Sequence, residues 1–190
     1  MTFILLRCGS RIDITYKIII SGDVGVGKTE LLRKYVGYEF DQTVQKLMGV
    51  SLIVKRTMIN NTRILLQIWD LAGGKQFEFL LPTYARGCVG AIFMYDLTNK
   101  DSLYKLSELV DLFTKTVSNM QYFPIILVVG SKYDLREERE VSMEDVLSIT
   151  SENGIYDYLE CSSKTGYNTD LVFHTLVSAL LKDKKDSNLL

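Results

Sequence analysis

The stretch Gly22-Asp23-Val24-Gly25-Val26-Gly27-Lys28-Thr29 constrains this chain more than any other, because it follows the apolar run Ile18-Ile19-Ile20 directly and precedes Leu31-Leu32. A glycine-rich segment where a strand turns into a helix is the pattern of a phosphate-binding loop, and it commits the fold to an α/β arrangement. The glycines let backbone N–H groups face an anion with no Cβ in the way, and the following helix aims the positive end of its dipole at the same point. Asp23, Val24, Gly25, Val26 and Gly27 are therefore expected around a nucleotide polyphosphate. Lys28 neutralises charge on the outer phosphates, and the Thr29 hydroxyl is one ligand of a magnesium ion that bridges them.

Around that loop, β-rich apolar runs at 15–21, 50–59, 62–70, 89–95, 125–130 and 156–160 alternate with segments of helical period at 29–37, 102–118, 143–153 and 170–182. Asn60-Asn61 between two strand-like runs reads as a tight hairpin turn. The expected fold is a doubly wound α/β domain: a six-stranded, mostly parallel sheet with one antiparallel edge strand and helices on both faces. Ligands in such sheets bind beyond the carboxyl ends of the strands. The domain is placed at 12–182, after an N-terminal extension at 1–11 and before a charged, fraying tail at 183–190.

Composition narrows the classes. With 190 residues, 47% of them hydrophobic and only two prolines, the chain suits one domain with a sizeable core. Its formal net charge of −1 gives no electrostatic reason to bind nucleic acid. Cys8, Cys88 and Cys161 lack metal-ligand spacing and read as reduced thiols of a cytoplasmic protein. The run Met1–Leu6 is too short to span a membrane, Thr2 stands where myristoylation needs glycine, and no cysteine lies in 182–190 for prenylation. No lipid anchor is evident, so recruitment to membranes is expected to come from partners, and the chain is expected to be a monomer.

Three further motifs fall at strand ends. In Trp69-Asp70-Leu71-Ala72-Gly73, Asp70 is placed to hold magnesium through a water, and the Gly73 N–H can reach a terminal phosphate oxygen. Ser131-Lys132-Tyr133-Asp134 and Cys161-Ser162-Ser163-Lys164 address the base. The Asp134 carboxylate can accept from the N1–H and exocyclic NH₂ of guanine, a pairing that adenine does not offer. A site built on such pairing rejects the analogue lacking the donors by roughly 10⁴–10⁵-fold. Lys132 and Lys164 lay their stems over the base faces, and a backbone N–H near Ser163, beside Ser162, meets the guanine oxygen.

With these four ordered motifs the chain resembles the Ras superfamily of small GTPases from about Ile14 to Lys182, most closely its Rab-type and septation-type branches. The resemblance implies a P-loop GTPase domain that binds GTP and GDP with Mg²⁺ and cycles between two forms. It also implies effector, exchange-factor and activating proteins as partners, and a role in signalling or vesicle traffic. Phe40 falls where the family usually stacks an aromatic edge on guanine.

The departures bear on mechanism. Gly74 stands where the family has its water-orienting glutamine, which leaves no side chain there for that work and predicts slow hydrolysis that Gly74→Gln would raise. Val24 puts a branched side chain where an activating partner's arginine, worth about 10³–10⁵ in rate, has to fit. Leu47 aligns with the threonine that senses magnesium and the terminal phosphate, and Thr43 is the nearby hydroxyl that can replace it. Ser131 replaces an asparagine and keeps a hydroxyl expected to tie its loop to the phosphate loop. The alternative function is a hydrolysis-deficient scaffold with a permanently held nucleotide. His174, Trp69, Phe77 and the run Glu137-Glu138-Arg139-Glu140 read as surface or packing residues.

Overall fold

Ile18, Ile19 and Ile20 show how the chain is organised. Successive residues of a strand point to opposite faces, and Ile18 and Ile20 join one core cluster while Ile19 joins another. The computed structural model describes residues 12–37, 44–150 and 154–187. Its strands are β1 (Ile14–Gly22), β2 (Val44–Leu47), β3 (Val50–Ile59), β4 (Thr62–Leu71), β5 (Gly90–Asp96), β6 (Ile125–Ser131) and β7 (Asp157–Glu160). Its helices are α1 (Lys28–Val36), α2 (Leu80–Ala85), α3 (Lys100–Val117), α4 (Met143–Thr150) and α5 (Thr169–Ser187).

The sheet runs β2-β3-β4-β1-β5-β6-β7. Strands β4, β1, β5, β6 and β7 are mutually parallel, so their carboxyl ends share one edge, and the four motifs follow four of them. Helices α1 and α5 cover one face through Leu31, Leu32, Phe173 and Leu176. Helices α2, α3 and α4 cover the other through Leu81, Leu106, Phe113 and Val146. Strand β5, buried along its whole length and apolar up to its terminal Asp96, lies between the two layers, as a central parallel strand requires. Asn60 and Asn61 both take left-handed φ, 51° and 61°. They close the β3–β4 hairpin as a two-residue turn must, and Ile59 pairs with Thr62 across it.

All six predicted strands form, and the structure adds a seventh. The short β2 pairs antiparallel with β3 across Met48-Gly49, so β3 is antiparallel as expected but is not the edge. Four residues reading Val-Gln-Lys-Leu are too few to show a period. The final helix runs to Ser187 rather than stopping near Lys182. Its apolar stripe ends at Leu181, but Lys182, Asp183 and Lys184 are exposed residues that need no core contact to stay helical. Cys88 and Cys161 are free and buried, and burial pushes both thiols up to about 12. Among the described residues no helix is long and apolar enough to cross a membrane.

Gly22 is the tightest joint. It has φ 151°, and a Cβ there would run into the Met94 carbonyl of β5. Gly22→Ala is expected to destabilise the fold by about 1–3 kcal/mol through overpacking. The urea midpoint should fall with the slope unchanged, and an unaltered midpoint would show that β5 gives way freely.

Candidate functional site

After β1 the chain turns into α1 through Gly25 and Gly27, whose φ values of 76° and 90° belong to glycine. Gly27 caps α1 without a side-chain bond, which leaves first-turn N–H groups available to an anion. Lys28 is only 7% exposed and curls back, its Nζ donating to the carbonyls of Gly22 at 2.9 Å and Asp23 at 2.7 Å. Burial lowers its pKa, while Asp70 and Asp23 oppose that shift. Two of the three ammonium donors thus fix the side chain across the loop, and the third remains for a phosphate.

Thr29 Oγ1 donates to Asp70 Oδ2 at 2.9 Å. Asp70 Oδ1 is buried without a partner among the described residues, and burial raises the carboxyl's pKa against the pull of Thr29 and Lys28. A buried carboxylate oxygen needs a donor, and a water on a magnesium ion is one. Magnesium keeps several waters and uses only one or two protein groups besides phosphates. That suits a site with no cluster of three or more acidic, histidine or cysteine ligands among the described residues. Thr29 and Asp70 can therefore hold the ion. Gly73 presses on the same loop, since a Cβ there would lie 2.5 Å from Val24 N and 2.6 Å from Asp23 O. Val24, Gly25, Lys28, Thr29, Asp70 and Gly73 line a cavity of about 670 Å³.

A second cavity of about 500 Å³ shares Gly25, Gly27 and Glu30 with the first and is completed by Val26, Ser131, Lys132, Asp134, Ser163 and Lys164. Asp134 Oδ1 accepts from Ser162 Oγ at 2.5 Å, and Lys164 Nζ lies 3.6 Å from Oδ2. The Ser162 hydroxyl first, and Lys164 after it, hold the Asp134 carboxyl below the usual carboxylate range. Lys132 takes left-handed φ, 62°, and pairs with Asp96 Oδ2 at 2.6 Å. Asp96 Oδ1 accepts from the Thr98 backbone N–H and hydroxyl. The two loops of this cavity are joined by the Tyr133 N–H on the Cys161 carbonyl and by Tyr133 stacked on Tyr167, with centroids 4.7 Å apart.

A family model for the Ras family matches residues 17–182, a span that contains every group just described. The chain belongs to the Ras family. It is similar to the Ras-related protein Rab-1 of Theileria parva, 38% identical over 174 residues that cover 90% of this chain and 76% of that protein. Rab-1 of Theileria annulata is 37% identical with the same coverage. The GTP-binding protein ypt4 of Schizosaccharomyces pombe is 37% identical, over 89% of this chain and 73% of its own. Of the two branches that the sequence suggested, these relatives favour the Rab-like one.

Several expectations for this Ras-family site change. Ser162 is wholly buried, so it supports Asp134 rather than touching a ligand. Ser131 Oγ donates to the Tyr95 carbonyl at 2.8 Å. It ties β6 to β5 and not to the phosphate loop, because so short a side chain reaches only the neighbouring strand. Asp23 turns its carboxylate to Lys105 of α3 at 2.8 Å, and only its backbone carbonyl meets Lys28. Val24 stands 67% exposed on that cavity's rim. Leu47 ends β2, paired with Val50, while Phe40 and Thr43 lie outside the described residues.

Position 74 itself offers no side chain to the cavity, as the sequence implies. Gly74, with φ 101°, opens the tight turn Lys75–Phe77, and this turn brings Gln76 onto the phosphate cavity. Sequence reading missed it because only the Gly73-Gly74 pair hinted that the backbone folds back here. Arg139 was expected to be solvated, yet it grips Glu160 with two bonds of 2.8 and 2.7 Å. Tyr158 donates to the same carboxylate and meets the Tyr95 hydroxyl at 2.9 Å. Trp69 tilts on Tyr84, Phe77 is half-buried against the core, and His174 is exposed, as packing and surface roles require.

Proposed function

We propose that this Ras-family chain is a guanine-nucleotide switch that binds GTP and GDP with Mg²⁺ and hydrolyses GTP slowly unless a partner assists. One observation carries the reading: the Lys28–Thr29–Asp70 cluster and the Asp134 carboxylate open on adjoining cavities that share Gly25, Gly27 and Glu30. Lys28 and the loop N–H groups hold the phosphates. Thr29 and Asp70 would hold the metal, Thr29 through its hydroxyl and Asp70 with its unpartnered Oδ1. Magnesium, when bound, spreads the charge of the outer phosphate oxygens. Asp134, kept ionised by its neighbours, accepts from N1–H and the exocyclic amine of guanine, with Lys132 and Lys164 against the ring.

Val24 at the cavity rim and a glycine at 74 both argue for slow turnover and for dependence on an activating protein. The likeness to Rab-1 and ypt4 supports exchange-factor and effector partners, action in vesicle traffic, and a cytoplasmic protein that partners bring to membranes. The test is to load purified protein with GTP and magnesium, denature samples over time and identify the nucleotide by chromatography. Conversion to GDP at on the order of 10⁻⁴ s⁻¹ or slower is expected for unassisted phosphoryl transfer of this type. GTP unchanged after a day would favour the second reading, a nucleotide-holding scaffold. Failure to retain any guanine nucleotide would overturn both.

A further inference from the structure

The geometry points to the Gln76 carboxamide as the group that aligns the attacking water in GTP hydrolysis, in the space that a side chain at position 74 would otherwise occupy. This rests on the proposed GTPase reading and deepens it. A Cβ added at Gly74 would lie 2.8 Å from Gln76 Oε1, 3.1 Å from Nε2 and 3.2 Å from Cδ. The amide therefore fills the first shell of volume above Gly74, two positions later in the chain. The same residue lines the cavity that also holds Lys28, Thr29, Asp70 and Gly73. Gly74 at φ 101° and the turn Lys75–Phe77 produce this return, a backbone path that a residue with a Cβ takes only under strain. Glycine at 74 is on this account what admits Gln76.

A carboxamide suits the task because its oxygen accepts a hydrogen from water while its NH₂ donates to a phosphate oxygen. In the reaction the water oxygen attacks the γ-phosphorus, and the bond from that phosphorus to the β–γ bridging oxygen breaks with its electrons going to GDP. The proton lost by the water ends on the phosphate or in solvent. Gln76 forms no covalent bond and exchanges no net proton; it fixes the direction of attack. Positioning of this kind is worth roughly 10²-fold for an error of about 1 Å. Gln76 is exposed at the cavity rim, so it holds the water less firmly than a packed residue would, consistent with slow turnover.

The test compares wild type, Gln76→Ala, Gln76→Met and Gly74→Ala for single-turnover hydrolysis, GDP affinity and melting temperature. Gln76→Met keeps the length of the side chain without the amide. Both Gln76 variants are expected to lose about 10–100-fold in rate with GDP affinity and melting temperature unchanged. Gly74→Ala should also slow hydrolysis, because its Cβ displaces the amide. Independently of activity, the Gln76 side-chain NH₂ signals in an NMR spectrum should move when GDP is exchanged for a non-hydrolysable GTP analogue. Wild-type turnover matched by Gln76→Met, or NH₂ signals that ignore the third phosphate, would overturn the assignment and leave the GTPase reading standing. A wild type that binds GTP and never hydrolyses it would instead overturn the GTPase reading, and this assignment with it.

Discussion

Lys28→Met is expected to weaken GTP and GDP binding by roughly 10²–10³-fold. Methionine keeps much of the buried stem but removes the ammonium that donates to the Gly22 and Asp23 carbonyls. Hydrogen bonds to charged groups contribute about 1.5–3 kcal/mol each, and about 1.4 kcal/mol is tenfold in affinity. Losing the phosphate contact and the charge that flanks Asp70 therefore accounts for the range. The apo fold should lose less, because the carbonyls of a loop beside a cavity can turn to water. Fluorescence titration with a labelled nucleotide, paired with a urea melt, separates the two effects. Near-normal affinity would mean that the loop N–H groups bind the phosphates alone and that Lys28 serves only to fasten the loop.

The second large effect is a change of base. Asp134→Asn replaces an acceptor-only carboxylate with an amide that carries its own donors, so it opposes the N–H groups of guanine and offers a donor to the second carbonyl of xanthine. A polar site of this kind discriminates by roughly 10⁴–10⁵-fold, and the expected outcome is a fall in guanine-nucleotide affinity of at least about 10²-fold with measurable xanthosine-nucleotide binding. The support from Ser162 Oγ survives, since an amide oxygen still accepts, while the attraction to Lys164 is lost. Competition titrations with guanosine, xanthosine and adenosine triphosphates give the answer. Unchanged preference for guanine would remove Asp134 from base recognition.

Much of this was legible in the sequence for definite physical reasons. Ile18-Ile19-Ile20 could serve two cores only as a central strand, and Asn60-Asn61 could take left-handed φ where most residues would be strained. The four motifs sit at strand ends in chain order, and a parallel sheet gathers such ends by construction. What stayed hidden depends on direction and distance. The Ser131 hydroxyl had two possible neighbours, and only the β5–β6 register decides for Tyr95. The support that Ser162 gives to Asp134 spans 28 positions, and the grip of Arg139 on Glu160 spans 21, separations that carry no periodic signal. The place of Gln76 depends on the left-handed φ of Gly74 and the turn that follows it. The strand β2 was too short to announce itself.

The Arg139–Glu160 pair has a bearing on how the base cavity behaves as a mechanical object. Its two walls, the loops after β6 and β7, hang from the margin of the sheet, and β7 is a four-residue strand with a neighbour on one side only. A wall on so short a strand would ordinarily swing with the fraying of its few backbone bonds. Arg139 leaves the loop after β6 and closes a two-pronged clamp on the last residue of β7, which also receives the Tyr158 hydroxyl. The clamp works like a tie rod between two posts, and the stacked rings of Tyr133 and Tyr167 make a second tie. The two loops beside the second cavity are thus tied together by a cation in a stretch of charges that otherwise looks like plain surface.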